Sequence, residues 1–295
     1  RELRQALAER RRAGARIGLV PTMGAFHDGH RSLIRRAREE SDVVVVSLFV
    51  NPSQFTAGED LDAYPRNEAG DAAEAAGLGA NVLFAPSVEE VYQEGFATTV
   101  VVGGVTERLE GAHRGAEHFR GVATVVTKLL NMVSPDAAYF GQKDAQQAVV
   151  IRRLVSDLDL GVEVVVCPTV REPDGLAMSS RNAYLDAGER SRAVALWRGL
   201  QAAESAVAAG ERDPDTVASV ARAAVAEHEV EPEYLEIVHP DTLAPVGVID
   251  GDALVVVAAT IGRARLIDNT TLRAPARVLS DAPEPVDTEE APCSA

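Results

Sequence analysis

The stretch that most constrains this chain is residues 21–30, Pro-Thr-Met-Gly-Ala-Phe-His-Asp-Gly-His. An apolar run at 17–20 precedes it. Residues 31–40 follow, with Leu33, Ile34 and Ala37 at helical spacing. The segment therefore reads as strand, glycine-bearing loop and helix start. An α/β protein places an anionic ligand at such a corner, because the unpaired N–H groups of a helix N-terminus point at it. His27 and His30 lie one helical turn apart and share a face if the helix begins at or before His27. A helix N-terminus disfavours the imidazolium, so neutral rings would each offer one N–H. Gly24 and Gly29 lack a Cβ and admit a flat ring or a phosphate close to the backbone. An isolated His-x-x-His would equally suit a surface loop with two solvated histidines. The ten-residue context and three downstream segments weigh against that reading.

Further apolar runs at 43–50, 82–84, 137–140 and 162–167 read as buried strands, with helical patterns between several of them. Continuous rather than alternating runs suit a parallel sheet covered on both faces. The expectation is an α/β fold: a Rossmann-like, doubly wound sheet over residues 1–170, with ligands at the carboxyl ends of its strands. Pro168, Pro173 and Asp174-Gly175 mark a break. Residues 171–280 then predict a smaller α+β lid. It has a capping box at Asp186–Glu189, an alanine-rich helix to about Ala209, and a helix opening at Asp213-Pro214. Its strands fall at 234–238, 253–260 and 264–267. Residues 281–295, rich in Pro, Glu and Asp, read as a disordered tail.

The charge balance is 29 basic against 45 acidic residues, a net −16. That argues against a nucleic-acid or membrane-surface partner. Any phosphate site must be built locally. No apolar run reaches membrane-spanning length and no signal peptide is visible. The chain opens at Arg1, so a short N-terminal piece is expected to precede it. Cys167 and Cys293 look like neither metal ligands nor a disulfide pair, which fits a reducing cytoplasm.

Gln54 follows Pro52 at a strand end, where a neutral amide can both donate to and accept from a hydroxy acid; an ordinary loop glutamine would look the same. The helix at 67–77 reads as solvated, and nothing around Asp71 suggests a metal. His118 suits either a phosphate or substrate contact or a helix cap. At the corner 139–147, Gly141 allows close backbone approach and Lys143 supplies a point charge for a polyphosphate. Asp144 can hold ribose hydroxyls or cap the helix, and Gln147 lies one turn into it. Ser179, Ser180 and Arg181 place two hydroxyls and a guanidinium in a row, suited to β- and γ-phosphates.

Residues 21–30 resemble the first (HIGH-type) signature of the nucleotidyltransferase superfamily, in the form found in the pantothenate synthetase (pantoate–β-alanine ligase) family. Val50-Asn51-Pro52-Ser53-Gln54-Phe55, the corner Phe140-Gly141-Gln142-Lys143-Asp144 with Gln146-Gln147, and Met178-Ser179-Ser180-Arg181-Asn182 match that family's further segments in order. The stretch from Arg114 to His118 is one residue longer than the family's and lacks its proline. The resemblance runs from near residue 1 to about 273. It implies ATP-dependent condensation of (R)-pantoate with β-alanine through a pantoyl adenylate, with Mg²⁺ bridging phosphates, in a cytoplasmic homodimer. It implies catalytic roles for His27, His30, Lys143, Ser179, Ser180 and Arg181, with His30 the acid-type residue. It implies ATP contacts from these and from Met23, Gly24, Gly29, Gly141, Asp144, Val170 and Met178. Gln54 and Gln147 would take pantoate and β-alanine, and no protein metal ligand is assigned.

Three other readings compete. A HIGH-type adenylyltransferase that stops at a nucleotidyl product would have no reason to carry Gln54 and Gln147. A metal hydrolase built on His27, His30, His113 and His118 lacks an acidic residue at zincin spacing. A non-catalytic nucleotide-binding module would need neither the glutamines nor the Ser-Ser-Arg segment.

Overall fold

The computed structural model describes residues 2–56, 61–62 and 64–274. The expected tail lies outside them, as do residues 275–280 of the expected lid. Strands β1 (Ile17–Thr22), β2 (Val43–Leu48), β3 (Val82–Phe84), β4 (Ala137–Gly141) and β5 (Glu163–Cys167) form one parallel sheet in the order β3-β2-β1-β4-β5. The helices of this part are α1 (Glu2–Arg12), α2 (Asp28–Glu40), α3 (Glu68–Gly77), the short α4 (Val88–Val91) and α5 (Glu110–Arg114), α6 (Ala116–Val133) and α7 (Ala145–Asp157).

Successive strand side chains point to opposite faces, and here both faces are buried. Ile17, Leu19, Val43, Val45, Ala138 and Phe140 pack with Leu7 of α1, Val122 and Val126 of α6 and Val150 of α7. Val20, Val44, Val46, Ala137 and Tyr139 pack with Leu33, Ile34 and Ala37 of α2 and Ala75 of α3. This is the doubly wound arrangement expected from the continuous apolar runs.

Beyond Arg171 come α8 (Ala187–Ala193), α9 (Ala195–Ala208), α10 (Pro214–Ala226), β6 (Tyr234–Val238), β7 (Asp252–Ile261) and β8 (Ala264–Arg273). The three strands form an antiparallel sheet in the order β6-β7-β8. One face, with Leu235, Ile237, Val255 and Val257, lies on Leu196, Leu200, Val217 and Ala221 of α9 and α10. The other face, with Tyr234, Val238, Leu254, Val256 and Ala258, joins the core beneath α6 and α7. The capping box at Asp186 and the Asp213 cap before Pro214 are both formed. The strand expected at 264–267 runs on to Arg273, because its polar continuation is not solvated: Asp268 and Asn269 are buried and bonded to other elements.

The sheet order reverses between β1 and β4, so the ligand crevice should lie there. These strands pair only at Gly18↔Ala137 and Leu19↔Ala138. Their pairing stops short of their carboxyl ends, and residues 23–30 and 142–147 flank the gap.

Candidate active site

At the end of β1 the chain turns through Gly24 and Ala25, both with positive φ (88° and 53°). That conformation is costly for alanine. It is held by Asp71 of α3, whose carboxylate accepts from the N–H of Ala25 (2.9 Å) and of Phe26 (3.0 Å). Asp71 is buried, so the face of α3 read as solvated is part of the site's framework. Asp71→Ala should release this loop at about 1.5–3 kcal/mol, the worth of hydrogen bonds to a charged group. Denaturant unfolding measures the loss, and an unchanged midpoint would contradict the role.

His27 is the N-cap of α2, and its Nδ1 accepts from the Gly29 N–H at 3.1 Å. A neutral ring with Nδ1 so engaged carries its proton on Nε2, as a donor. The His30 ring lies 4.1 Å from that of His27, centroid to centroid. Burial first, then nearby Lys143, lowers the His27 pKa to about 4; burial first, then His27, lowers that of His30 to about 3. Both rings are therefore neutral at pH 7. The loop amides of Ala25 and Phe26 are taken by Asp71 and the helix amide of Gly29 by His27. Because the unfolded histidines titrate near about 6.5, the unfolded chain binds more protons below that pH. Their contribution to stability is present above that value and is lost as pH falls towards the folded values near 4 and 3. An NMR titration should show neither imidazole with a midpoint above about pH 5; a midpoint near the ordinary histidine value would contradict the burial argument.

Pro52 turns the chain after β2 into a single 3₁₀ turn, Pro52–Gln54. Gln54 is held at both ends of its amide. Its Oε1 accepts from Asn51 Nδ2 at 3.0 Å and its Nε2 meets Met23 Sδ at 3.3 Å. Asn51 accepts in turn from Tyr92 Oη and Ser53 Oγ, both at 2.8 Å. His118, in the first turn of α6, does not cap the helix. Its Nδ1 donates to the Gln54 carbonyl at 2.8 Å, and its Nε2 lies 3.0 Å from Arg114. Helix α6 approaches this turn so closely at Gly121 that a Cβ there would sit 2.1 Å from the Ser53 carbonyl oxygen. Gly121→Ala should cost about 1–3 kcal/mol and displace Gln54. Thermal unfolding checks this, and a wild-type midpoint would contradict it.

At the end of β4, Lys143 lies in the 3₁₀ turn Gln142–Asp144, with Nζ 3.3 Å from Asp144 Oδ1. Burial works to raise the Asp144 pKa, but Lys143, with Arg181 beyond it, holds the carboxyl below its ordinary value. Asp144 makes no side-chain cap on α7. Gln146 and Gln147 both line the cleft, but Gln146 is buried and its amide is spent on the carbonyls of Val105 and Arg108. Opposite, a hairpin closed by Arg171↔Ala177 and by the Met178 N–H on the Val170 carbonyl (2.9 Å) delivers residues 179–181. Ser179 accepts from the Arg181 N–H, and Ser180 Oγ donates to Tyr64 Oη at 3.4 Å. A Cβ built on Gly29 would lie 3.8 Å from that of Met178. The two signature segments are thus neighbours across one cleft.

Met23, His27, Gly29, His30, Gln54, Gly141, Lys143, Asp144, Gln147, Val170, Met178, Ser179, Ser180 and Arg181 all line one cleft, with an interior of about 240 Å³. Gly24 does not line it, and a Cβ there would press on Asp71 and Leu48. Glu110 also lines the cleft, a place that its sequence context does not signal. It is buried, accepts from both guanidinium nitrogens of Arg265 (2.6 and 2.7 Å) and from Tyr234 Oη (2.7 Å), and those partners lie more than 120 residues away. His113 stands outside the cleft wall, 3.8 Å from Glu233 and tilted against the Tyr234 ring, so the four histidines do not share a metal site. Among the described residues no group of three or more His, Cys, Asp or Glu could hold a metal ion. Magnesium needs no such cage, since substrate phosphates and one or two carboxylates suffice, and Asp144 offers one.

A Rossmann-like sheet with paired histidines at its first corner, and a Ser-Ser-Arg arm across the same cleft, defines a nucleotide-activating enzyme of the HIGH-type nucleotidyltransferase class. The family model for pantoate-beta-alanine ligase matches residues 1–271. Pantothenate synthetase 1 of Bradyrhizobium diazoefficiens is 54% identical over 275 residues, 92% of this chain and 95% of that protein. The crystal structure of pantothenate synthetase from Thermus thermophilus superposes with a TM-score of 0.86 at 48% identity, covering 90% of this chain and 98% of the other. Pantoate-beta-alanine ligase from Francisella tularensis, complexed with beta-gamma ATP and beta-alanine, gives a TM-score of 0.74 at 34% identity over 91% and 95% of the two chains. The chain belongs to the pantoate–β-alanine ligase family.

Proposed function

We propose that this chain joins (R)-pantoate to β-alanine at the expense of ATP, in two steps within the one cleft. A carboxylate does not react with an amine at neutral pH, so it must first acquire a leaving group. The pantoate carboxylate attacks the α-phosphorus; an O–P bond forms and pyrophosphate leaves, giving pantoyl adenylate. The β-alanine amine then attacks the acyl carbon, loses a proton and expels AMP. No protein nucleophile is required. Catalysis is positioning and stabilisation of charge growing on the pyrophosphate. His27 and His30 act as neutral donors on one side and Lys143 as a point charge beside them. Ser179, Ser180 and Arg181 face them from the other side. Gln54 and Gln147 grip pantoate. Met23, Gly29, Gly141, Asp144, Val170 and Met178 line the nucleotide pocket. Gly24 shapes the loop rather than touching ATP. Mg²⁺ supplies charge neutralisation when bound with the phosphates, with Asp144 as its protein-side carboxylate.

The observation that carries this reading is that both signature segments, through His27, Gly29 and His30 on one side and Met178 to Arg181 on the other, line a single cleft together with Gln54 and Gln147. The glutamines favour a carboxylate substrate over an adenylyltransferase that stops at a nucleotidyl product. We further propose that residues 1–170 bind nucleotide and pantoate while the part beyond Arg171 closes over them, and that the enzyme works as a cytoplasmic homodimer. Among the described residues no helix is long and apolar enough to cross a membrane. Incubation with ATP, Mg²⁺ and pantoate should release pyrophosphate in a burst near one equivalent per site, with turnover only after β-alanine is added. Release that needs β-alanine from the start, or no pantoate at all, would overturn the order.

A further inference from the structure

Strand β8 enters the framework of the cleft through two consecutive buried residues, Asp268 and Asn269. Asn269 does not line the cleft. Its Nδ2 donates to the backbone carbonyls of Gln142 and Lys143, both at 2.9 Å, and its Oδ1 accepts from Gln142 Nε2 at 3.0 Å. The reverse amide orientation would set its oxygen against two carbonyl oxygens, so the donor end is fixed. The turn it grips, Gln142–Asp144, has no side-chain cap on its N-terminal side. The backbone origin of the Lys143 side chain is therefore set from a strand 126 residues away.

Asp268 fixes that strand to the opposite arm. It accepts both guanidinium nitrogens of Arg171, at 2.6 and 3.0 Å, and the Asn269 N–H at 2.8 Å. The Arg171 guanidinium stacks 3.8 Å from the Trp197 ring. Arg171 in turn opens the hairpin that ends at Met178, next to Ser179. One strand thus anchors both segments that face each other across the cleft.

We infer that Asn269 is a positioning residue for Lys143, holding its turn at the distance from the Ser179–Arg181 arm that one triphosphate requires. The inference rests on the cleft being the ATP site proposed above. Asn269→Ala leaves two carbonyls without their donor and frees the Lys143 turn. A misplacement of about 1 Å can cost up to about 100-fold in rate, so the adenylation rate should fall at least about tenfold. ATP affinity should fall with it, while the pantoate KM changes less than about twofold. In a Lys143→Ala background the same substitution should cost less than about twofold in either quantity, because the group it positions is gone.

Stopped-flow pyrophosphate release and calorimetric ATP titration of the four proteins measure this cycle. Equal losses in both backgrounds would mean general damage and overturn the proposal, as would a loss below about twofold in the otherwise wild-type chain. If Asn269→Ala does not fold, the near-isosteric Asn269→Asp carries the same cycle, with an acceptor now facing two acceptors. Should the wild type bind ATP yet release no pyrophosphate with pantoate, the reaction assigned above falls, and the ATP-affinity cycle alone decides the role of Asn269.

Discussion

Lys143→Ala should lower the rate of pantoyl-adenylate formation by about 100-fold or more, with the fold intact. The ammonium is half-buried beside Asp144 and two neutral imidazoles, so it is the principal positive charge on that wall of the cleft. In a partly desolvated site a charge that meets developing pyrophosphate acts more strongly than in water. The side chain takes part in no core cluster, so thermal unfolding should barely move. Rapid-quench measurement of the first turnover is the decisive experiment. Near wild-type burst kinetics would refute the role.

Gln54→Ala should weaken pantoate by about 10- to 100-fold and ATP far less. The amide meets a hydroxy-carboxylate, and losing hydrogen bonds to a charged group costs about 1.5–3 kcal/mol. Gln54 is pre-set by Asn51, Met23 and the His118 bond to its carbonyl, so little ordering remains to be done on binding. Equilibrium titration with each substrate separately gives the comparison. Equal losses for both would contradict a pantoate-specific contact.

The parts legible in the sequence were those encoded locally. Glycine and histidine spacing in residues 21–30 marks a strand–loop–helix corner, and unbroken apolar runs mark strands buried on two faces. The polar residues that organise the site are harder to read, because their partners are remote. Asp71 sits in an alanine-rich helix that looks solvated, yet it closes the Ala25–Phe26 turn 46 residues before it. Gln146 and Gln147 are adjacent and chemically identical and both line the cleft, yet Gln146 is buried with its amide spent on carbonyls 41 and 38 residues earlier. Glu110 depends on Arg265, and Asn269 on the carbonyls of a turn in the first half of the chain. A polar stretch such as residues 268–271 reads as the end of a strand until those partners are known.

The fate of the pantoate carboxylate oxygen distinguishes an acyl adenylate from any other activated species. Pantoate labelled with ¹⁸O in its carboxylate, turned over with ATP and β-alanine, should yield AMP carrying one labelled oxygen, because the bond made to the α-phosphorus survives amide formation. Label recovered in inorganic phosphate or pyrophosphate, with none in AMP, would show attack at another phosphorus and would contradict the adenylate built here from the two facing walls of one cleft.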